Sequence, residues 1–191
     1  MTEDQLLKKA CRGDETAFLL LYERYRAGLH RFLYRMLGSA ELAEDLTHDC
    51  FLSLLRQPER FDPKRASLRT YLYAAGRNLA FKHSRQTGPE TVFDELEEEL
   101  PIIDRREPLQ QLLEAELAGK VRQAIAQLPP LQREALILFE YEGLSLAELA
   151  AVVETDVGTV KARLHRARAR LRRSLAPYLK SHLLLASVGG Y

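Results

Sequence analysis

The chain has 191 residues, room for one medium domain or two small ones. It is 46% apolar and 29% charged, which excludes wholesale disorder and collagen-like repeats. Net charge is +1, but it is unevenly spread: residues 1–86 carry fifteen Lys/Arg against eleven Asp/Glu, residues 87–107 two against eight, residues 108–144 three against five, and residues 145–191 eight against three.

Two basic blocks thus flank an acidic strip. The pattern fits nucleic acid touched at two places, and it also fits two solvated helical surfaces with a charged connection. No run of about 18 apolar residues could span a membrane. Met1–Ala10 is polar and lacks the apolar core of a secretion signal, so a cytoplasmic protein is expected. Cys11 and Cys50 are too few for a disulfide scaffold or a zinc site and read as small apolar fillers.

In chain order the apolar spacing is helical almost throughout, so the expected class is all-α. Phe18, Leu21, Tyr22, Tyr25, Leu29, Phe32, Leu33 and Met36 form one stripe of a long helix, with Gly13 and Asp14 as break and N-cap and Gly38 closing it. Ser39 caps the next helix, to about Arg56, with Leu42, Leu46, Phe51 and Leu55 inward. The segment from Gln57 to Ala66 is too polar and proline-marked for a helix. Ser67 caps a third, from Leu68 to about Arg85, with Leu68, Tyr71, Leu72, Ala75 and Leu79 inward. Periodicity fades over 87–107, an acidic linker that could extend roughly 70 Å, or else a continuation of the first domain. Pro108 suits the first turn of a helix to about Gln127. Pro129 and Pro130 end it and start another, with Leu131, Ala135, Leu136 and Leu138 inward. After Gly143, Ser145 and Glu148 make a capping box stapled by Leu144 and Leu149. A last helix runs from Val157 past Leu171 until Pro177 interrupts it, and the tail from Ser181 to Tyr191 either packs or frays.

Two constellations carry chemistry. Ala150, Glu154 and Val160 occupy the small, turn and pin positions of a helix-turn-helix. Its second helix has Val157, Val160, Leu164, Ala167 and Leu171 on one face and Lys161, Arg163, His165, Arg166, Arg168, Arg170, Arg172 and Arg173 elsewhere. Cations that dense repel unless a polyanion such as a phosphate backbone faces them. The turn position favours Gly, so a positive φ at Glu154 would cost about 1 kcal/mol. In the helix after Ser67, Ala74, Arg77, Asn78, Phe81 and Arg85 form a second stripe, with Lys64, Arg65, Tyr71 and Tyr73 nearby. Guanidinium for phosphate, amide for a base edge and an aromatic face for stacking suit an unpaired base. Against an enzyme, there is no Gly-rich phosphate loop, paired-carboxylate site or metal spacing. His30, His48, His83, His165 and His182 are scattered, and neither metal nor cofactor is expected.

Together these strings resemble the extracytoplasmic-function sigma factors of bacterial RNA polymerase, the minimal two-domain members of the sigma-70 family. The resemblance covers nearly the whole chain. Residues 43–51 resemble the family's core-binding segment; residues 60–63, 67–73 and 77–80 its segment that melts and reads the −10 promoter element; Leu128-Pro129 with Arg133-Glu134 and Leu136, then residues 143–145 and 157–168, its −35-reading domain. It implies three parts: an N-terminal domain over 1–86, the acidic linker 87–107, and a helix-turn-helix domain over 108–191. By the resemblance, Asp45, His48, Asp49 and Phe51 face the polymerase clamp, with His48 where relatives commonly have Gln. Asn78 receives a flipped −10 base beside the loop from Asp62 to Ser67, with Lys64, Arg65, Tyr71, Tyr73, Arg77 and Phe81 around it; Tyr71 stands where Trp is frequent. Lys161, Ala162, His165 and Arg166 face the −35 major groove, Ala162 in place of a frequent Ser, while Arg163 and Arg168 suit phosphates. The implied partners are core polymerase, through its β-prime clamp and β flap, promoter DNA, and an inhibitory anti-sigma factor, with no membrane contact by this chain. A free-standing helix-turn-helix regulator is the competing expectation.

Overall fold

The computed structural model describes residues 2–87 and 108–188, all helix, turn and loop with no strand among them. The acidic stretch 88–107 lies outside the described residues, as do 189–191.

The N-terminal half is a bundle of four helices. Helix α1 (Glu3–Ala10) starts at a Thr2–Gln5 capping box and buries Leu6, Leu7 and Ala10. No helix is predicted over this segment from its apolar spacing. Eight residues are too few to be helical alone; docking supplies the rest, with Tyr25 and Arg24 of the next helix both bonded to the Glu3 carboxylate. Helix α2 (Glu15–Leu37) begins at Asp14, whose side chain accepts from the Ala17 amide at 3.0 Å, and ends at Gly38 with φ 78°. Helix α3 (Ala40–Arg56) is capped by Ser39. A 3₁₀ turn over Pro58–Arg60 leads to helix α4 (Leu68–Thr87), where Ser67 Oγ accepts from the Thr70 amide at 3.1 Å. Phe32, Leu33, Phe51, Leu54, Leu68 and Leu72 fill the centre, each worth roughly 1.5–3 kcal/mol of burial. Gly76 lets α4 lie close on α2: a Cβ there would stand 2.9 Å from the Leu29 side chain.

The C-terminal half begins with α5 (Pro108–Ala126). Helix α6 (Pro130–Leu136) widens into a π turn over Ile137–Tyr141, with the Glu142 amide donating to the Ile137 carbonyl at 3.1 Å. Helix α7 (Leu146–Val152) and helix α8 (Val157–Val188) follow. Ile137, Leu138, Leu149, Val160, Leu164 and Ala167 form their shared core.

Three expectations are corrected here. Helix α8 runs through Pro177 to Val188 instead of stopping. Pro177 is exposed, so water can satisfy the carbonyl it leaves without a helical partner. Leu131 is exposed rather than inward, and Arg133 and Glu134 are buried in the same helix. Arg133 and Glu134 turn inward because each finds partners there, Arg133 on the Met36 and Leu128 carbonyls and Glu134 on Arg77 and Arg163. The third concerns α4, where Tyr73 and Ala80 are buried while Tyr71, Ala75 and Leu79 are only partly so.

The two halves pack together. Helix α4 lies against α7, and α2 against α6 and the π turn. Arg133 Nη1 donates to the Met36 carbonyl at 3.0 Å across this seam.

Candidate nucleic-acid interface

The helix-turn-helix is built by local bonds. Ser145 Oγ accepts from the Glu148 amide at 3.2 Å, and the Ser145 amide donates to Glu148 Oε2 at 2.8 Å. The Ser145 hydroxyl, which donates to Glu148 Oε2 at 2.7 Å, and then the Ser145 amide hold the Glu148 carboxyl below its usual range. The Thr155 amide donates to the Ala150 carbonyl at 3.0 Å to close the turn, and Glu154 takes φ 52°. The positive φ that was weighed at this position is therefore present. The Thr159 hydroxyl donates to Asp156 Oδ2 at 2.6 Å and the Thr159 amide to Oδ1 at 2.8 Å, starting α8 and lowering the Asp156 pKa. Ala150 and Val160 are buried at the crossing, as their positions require, whereas Val157, expected on the same inward face, is 37% exposed.

On the outer side of α8, Lys161, Ala162, His165 and Arg166 are exposed. Arg163 differs from them. Its guanidinium turns inward and meets Glu134 Oε1 at 3.1 Å, leaving the side chain 15% exposed. Arg168 lies over the Phe139 ring and donates to Glu140 Oε1 through Nε at 2.9 Å and Nη2 at 2.5 Å.

On α4, Asn78 is exposed. Arg77 Nη1 donates to Asn78 Oδ1 at 3.2 Å, and the same guanidinium lies 4.9 Å from the centre of the Phe81 ring. The amide, the cation and the aromatic expected to act together are thus brought together. Lys64 and Arg65 are exposed in the preceding loop, whose turn is tied by the Lys64 amide to Asp62 Oδ1 at 2.9 Å. Tyr71 is half-buried edge-on against Phe61. Tyr73 is not beside Asn78. It is buried against Phe32, with its hydroxyl donating to Glu142 Oε2 at 2.8 Å.

On α3, Asp45, His48 and Asp49 are exposed along one row. His48 Nε2 and the Tyr22 hydroxyl are 2.7 Å apart with their rings stacked. Phe51, expected on that row, is buried between Phe18 and Tyr22. Leu52, 43% exposed, follows Asp45, His48 and Asp49 on the three- and four-residue step and takes its place.

Arg69, Arg133 and Glu134 belong to the strings that carry the resemblance but have no role assigned from the sequence, and Glu142 and Arg35 were missed altogether. Glu134 is fully buried and receives Arg77 Nε at 2.6 Å as well as Arg163. Glu142 receives Arg35 Nη1 at 3.2 Å and the Tyr73 hydroxyl, and its carbonyl accepts from Arg69. One signal was present: Glu134 lies four residues before Leu138, in line with an inward position. Among the described residues no cluster of His, Cys, Asp and Glu could hold a metal, and no helix is long and apolar enough to cross a membrane.

A helix-turn-helix with a cationic outer face, joined to a bundle that presents Asn78 beside Arg77 and Phe81, defines an all-helical DNA-handling protein. The comparisons agree. The profile described as Sigma-70 region 2 matches residues 21–89, and that described as Sigma-70, region 4 matches residues 118–171. RNA polymerase sigma-H factor of Pseudomonas aeruginosa is 32% identical, over 93% of this chain and 96% of the relative. ECF RNA polymerase sigma-E factor of Escherichia coli is 30% identical, over 94% and 97%. The sigma factor RpoE of Bartonella quintana, solved in complex with the anti-sigma factor NepR, superposes with a TM-score of 0.61 at 27% identity, over 85% of this chain and 96% of that one. The chain belongs to the sigma-70 family of transcription initiation factors, in its extracytoplasmic-function group.

Proposed function

We propose that this chain is a dissociable promoter-specificity subunit, supplying no catalysis of its own and acting in the cytoplasm on core RNA polymerase. Residues 1–86 dock on the clamp through Asp45, His48, Asp49 and Leu52 and hold an unstacked −10 base at Asn78, flanked by Arg77, Phe81, Lys64, Arg65 and Tyr71. Residues 87–107 connect the two domains as an acidic linker. Residues 108–191 meet the β flap and read the −35 duplex with Lys161, Ala162, His165 and Arg166, while Arg163 and Arg168 serve the phosphates. Phe51 and Tyr73 act from within the core, as supports for these faces. An anti-sigma factor covering the same surfaces regulates the chain, in line with the relative solved with NepR. The observation that carries this reading is the pairing, in one chain, of a capped helix-turn-helix bearing an exposed basic face with the Arg77–Asn78–Phe81 cluster on a separate bundle.

The test is transcription with purified core polymerase. Promoter-dependent transcripts are expected only when this chain is added. Asn78→Ala is expected to lower −10 discrimination by about 1–3 kcal/mol, as for loss of one base contact, without weakening core binding. Tight, sequence-specific duplex binding without core, and no transcripts with it, would instead establish a free-standing regulator.

A further inference from the structure

A side-chain amide has two ends, and they read different things on a base. The oxygen accepts from amino and imino groups, and the nitrogen donates to carbonyl oxygens and ring nitrogens. On Asn78 the neighbouring residue decides which end is offered. Arg77 Nη1 donates to Asn78 Oδ1 at 3.2 Å. A guanidinium carries donors only, so the amide end that faces it is the oxygen; the nitrogen there would set N–H against N–H. Asn78 is exposed, and its Nδ2 protons are taken by no group among the described residues. They lie at the end of the amide away from Arg77. Arg77 is itself fixed and mostly buried. Its guanidinium lies 4.9 Å from the centre of the Phe81 ring, one turn along the same helix, and its Nε meets Glu134 Oε2 at 2.6 Å. Asn78 and Phe81 both belong to α4, so a single helix carries the cation, the ring and the amide in this order. With one edge on Glu134 and one face on Phe81, Arg77 is placed to orient the amide rather than to reach for a phosphate.

We propose that Arg77 is a positioning residue that makes Asn78 a donor-only reader, so that the unpaired base taken at Asn78 is one with a carbonyl oxygen (cytosine, thymine or guanine) and adenine is refused. The inference rests on the reading of Asn78 as the residue that receives the −10 base. Adenine is the one DNA base without a carbonyl oxygen. The usual asparagine–adenine pair needs Oδ1 to accept from the N6 amino group while Nδ2 donates to a ring nitrogen. With Oδ1 turned to Arg77 that two-bond pair is broken, and the adenine amino group meets the Nδ2 protons instead. A carbonyl oxygen in the same place accepts from them.

The test uses the full chain bound to core polymerase and a pool of short single strands of random sequence, the retained strands being sequenced. In the parent, one position is expected to be depleted in adenine roughly 5-fold or more against the other bases, and Asn78→Ala is expected to level it. Arg77→Met keeps an apolar stem against Phe81 and removes the donor; adenine is expected to recover at that position roughly 5-fold or more. Arg77→Lys keeps a donor-only cation and is expected to retain the depletion, which a merely structural role for Arg77 would not require. Should Arg77→Met fail to fold by circular dichroism, Asn78→Asp carries the test, since it leaves the Arg77–Glu134 pair in place. Its side chain only accepts, so enrichment is expected to pass to the bases with amino groups at the expense of thymine, which has none. Adenine favoured in the parent at the position that Asn78→Ala levels, or a preference there that neither Arg77→Met nor Asn78→Asp moves, overturns the proposal and leaves the base-pocket reading standing. If Asn78→Ala changes no position, the base-pocket reading itself falls, and the proposal with it.

Discussion

At the scale of single residues, Glu154 is the clearest case of local strain. Its φ of 52° puts a side-chain-bearing residue in the left-handed region, at a cost of about 1–2 kcal/mol. Glu154→Gly removes that cost and returns part of it as extra freedom of the unfolded chain. The expected net effect is a gain of up to about 1 kcal/mol, read from denaturant midpoints. A loss of stability would show that the Glu154 side chain contributes more than its backbone costs. Glu134 makes the opposite point: its two arginines come from α4 and α8, far apart in the chain. Spacing along one helix carries no signal for such a pair.

At the scale of elements, caps and turns were legible because they are local. Asp14, Ser39, Ser67 and the Ser145–Glu148 box all sit where short-range hydrogen bonding places them. The same bonds set a pH dependence. Glu148 and Asp156 both lie below the ordinary carboxylate range because hydroxyl and amide groups donate to their charged forms. The folded helix-turn-helix therefore binds fewer protons at these groups than the unfolded chain does. Their contribution is fully present above about pH 5 and drains away as pH falls through the carboxylate range. Burial pushes Glu134 the other way, with Arg77 and Arg163 opposing it, so the whole-protein curve mixes signs. Comparing the parent with Glu148→Gln isolates one carboxylate. A stability gap is expected at pH 7, and denaturant melts should show it closing near pH 3; a gap of constant size would refute the assignment. The failures at this scale, α1 and Pro177, arise where tertiary contact or hydration overrides local propensity.

At the scale of the whole molecule, the seam couples the two halves. The Tyr73 hydroxyl is one of the groups that satisfy the buried Glu142 carboxylate. Tyr73→Phe keeps the ring against Phe32 and removes only that donor. It is expected to cost about 1–3 kcal/mol, measured by equilibrium unfolding, and to loosen the coupling between the melting of the two halves. A Tyr73→Phe protein with parental stability would mean that water reaches Glu142 in solution, so the seam is not closed.

The amino-acid sequence by itself determined the helical class, most helix ends, the helix-turn-helix and the Arg77–Asn78–Phe81 stripe. Each of these depends on residues within one or two turns of one another, and short-range geometry is written in spacing. Only the tertiary structure decided that Tyr73 is interior, that Phe51 keeps the inward place its apolar spacing gives it and leaves the surface row to Leu52, and that Glu134 and Glu142 hold cations from the other half. Those outcomes follow from which faces exclude water when helices pack, within the N-terminal bundle for Phe51 and across the seam for Tyr73 and the two glutamates. The ion pairs across the seam join residues 57 and 107 positions apart, a distance at which helical periodicity has nothing to say.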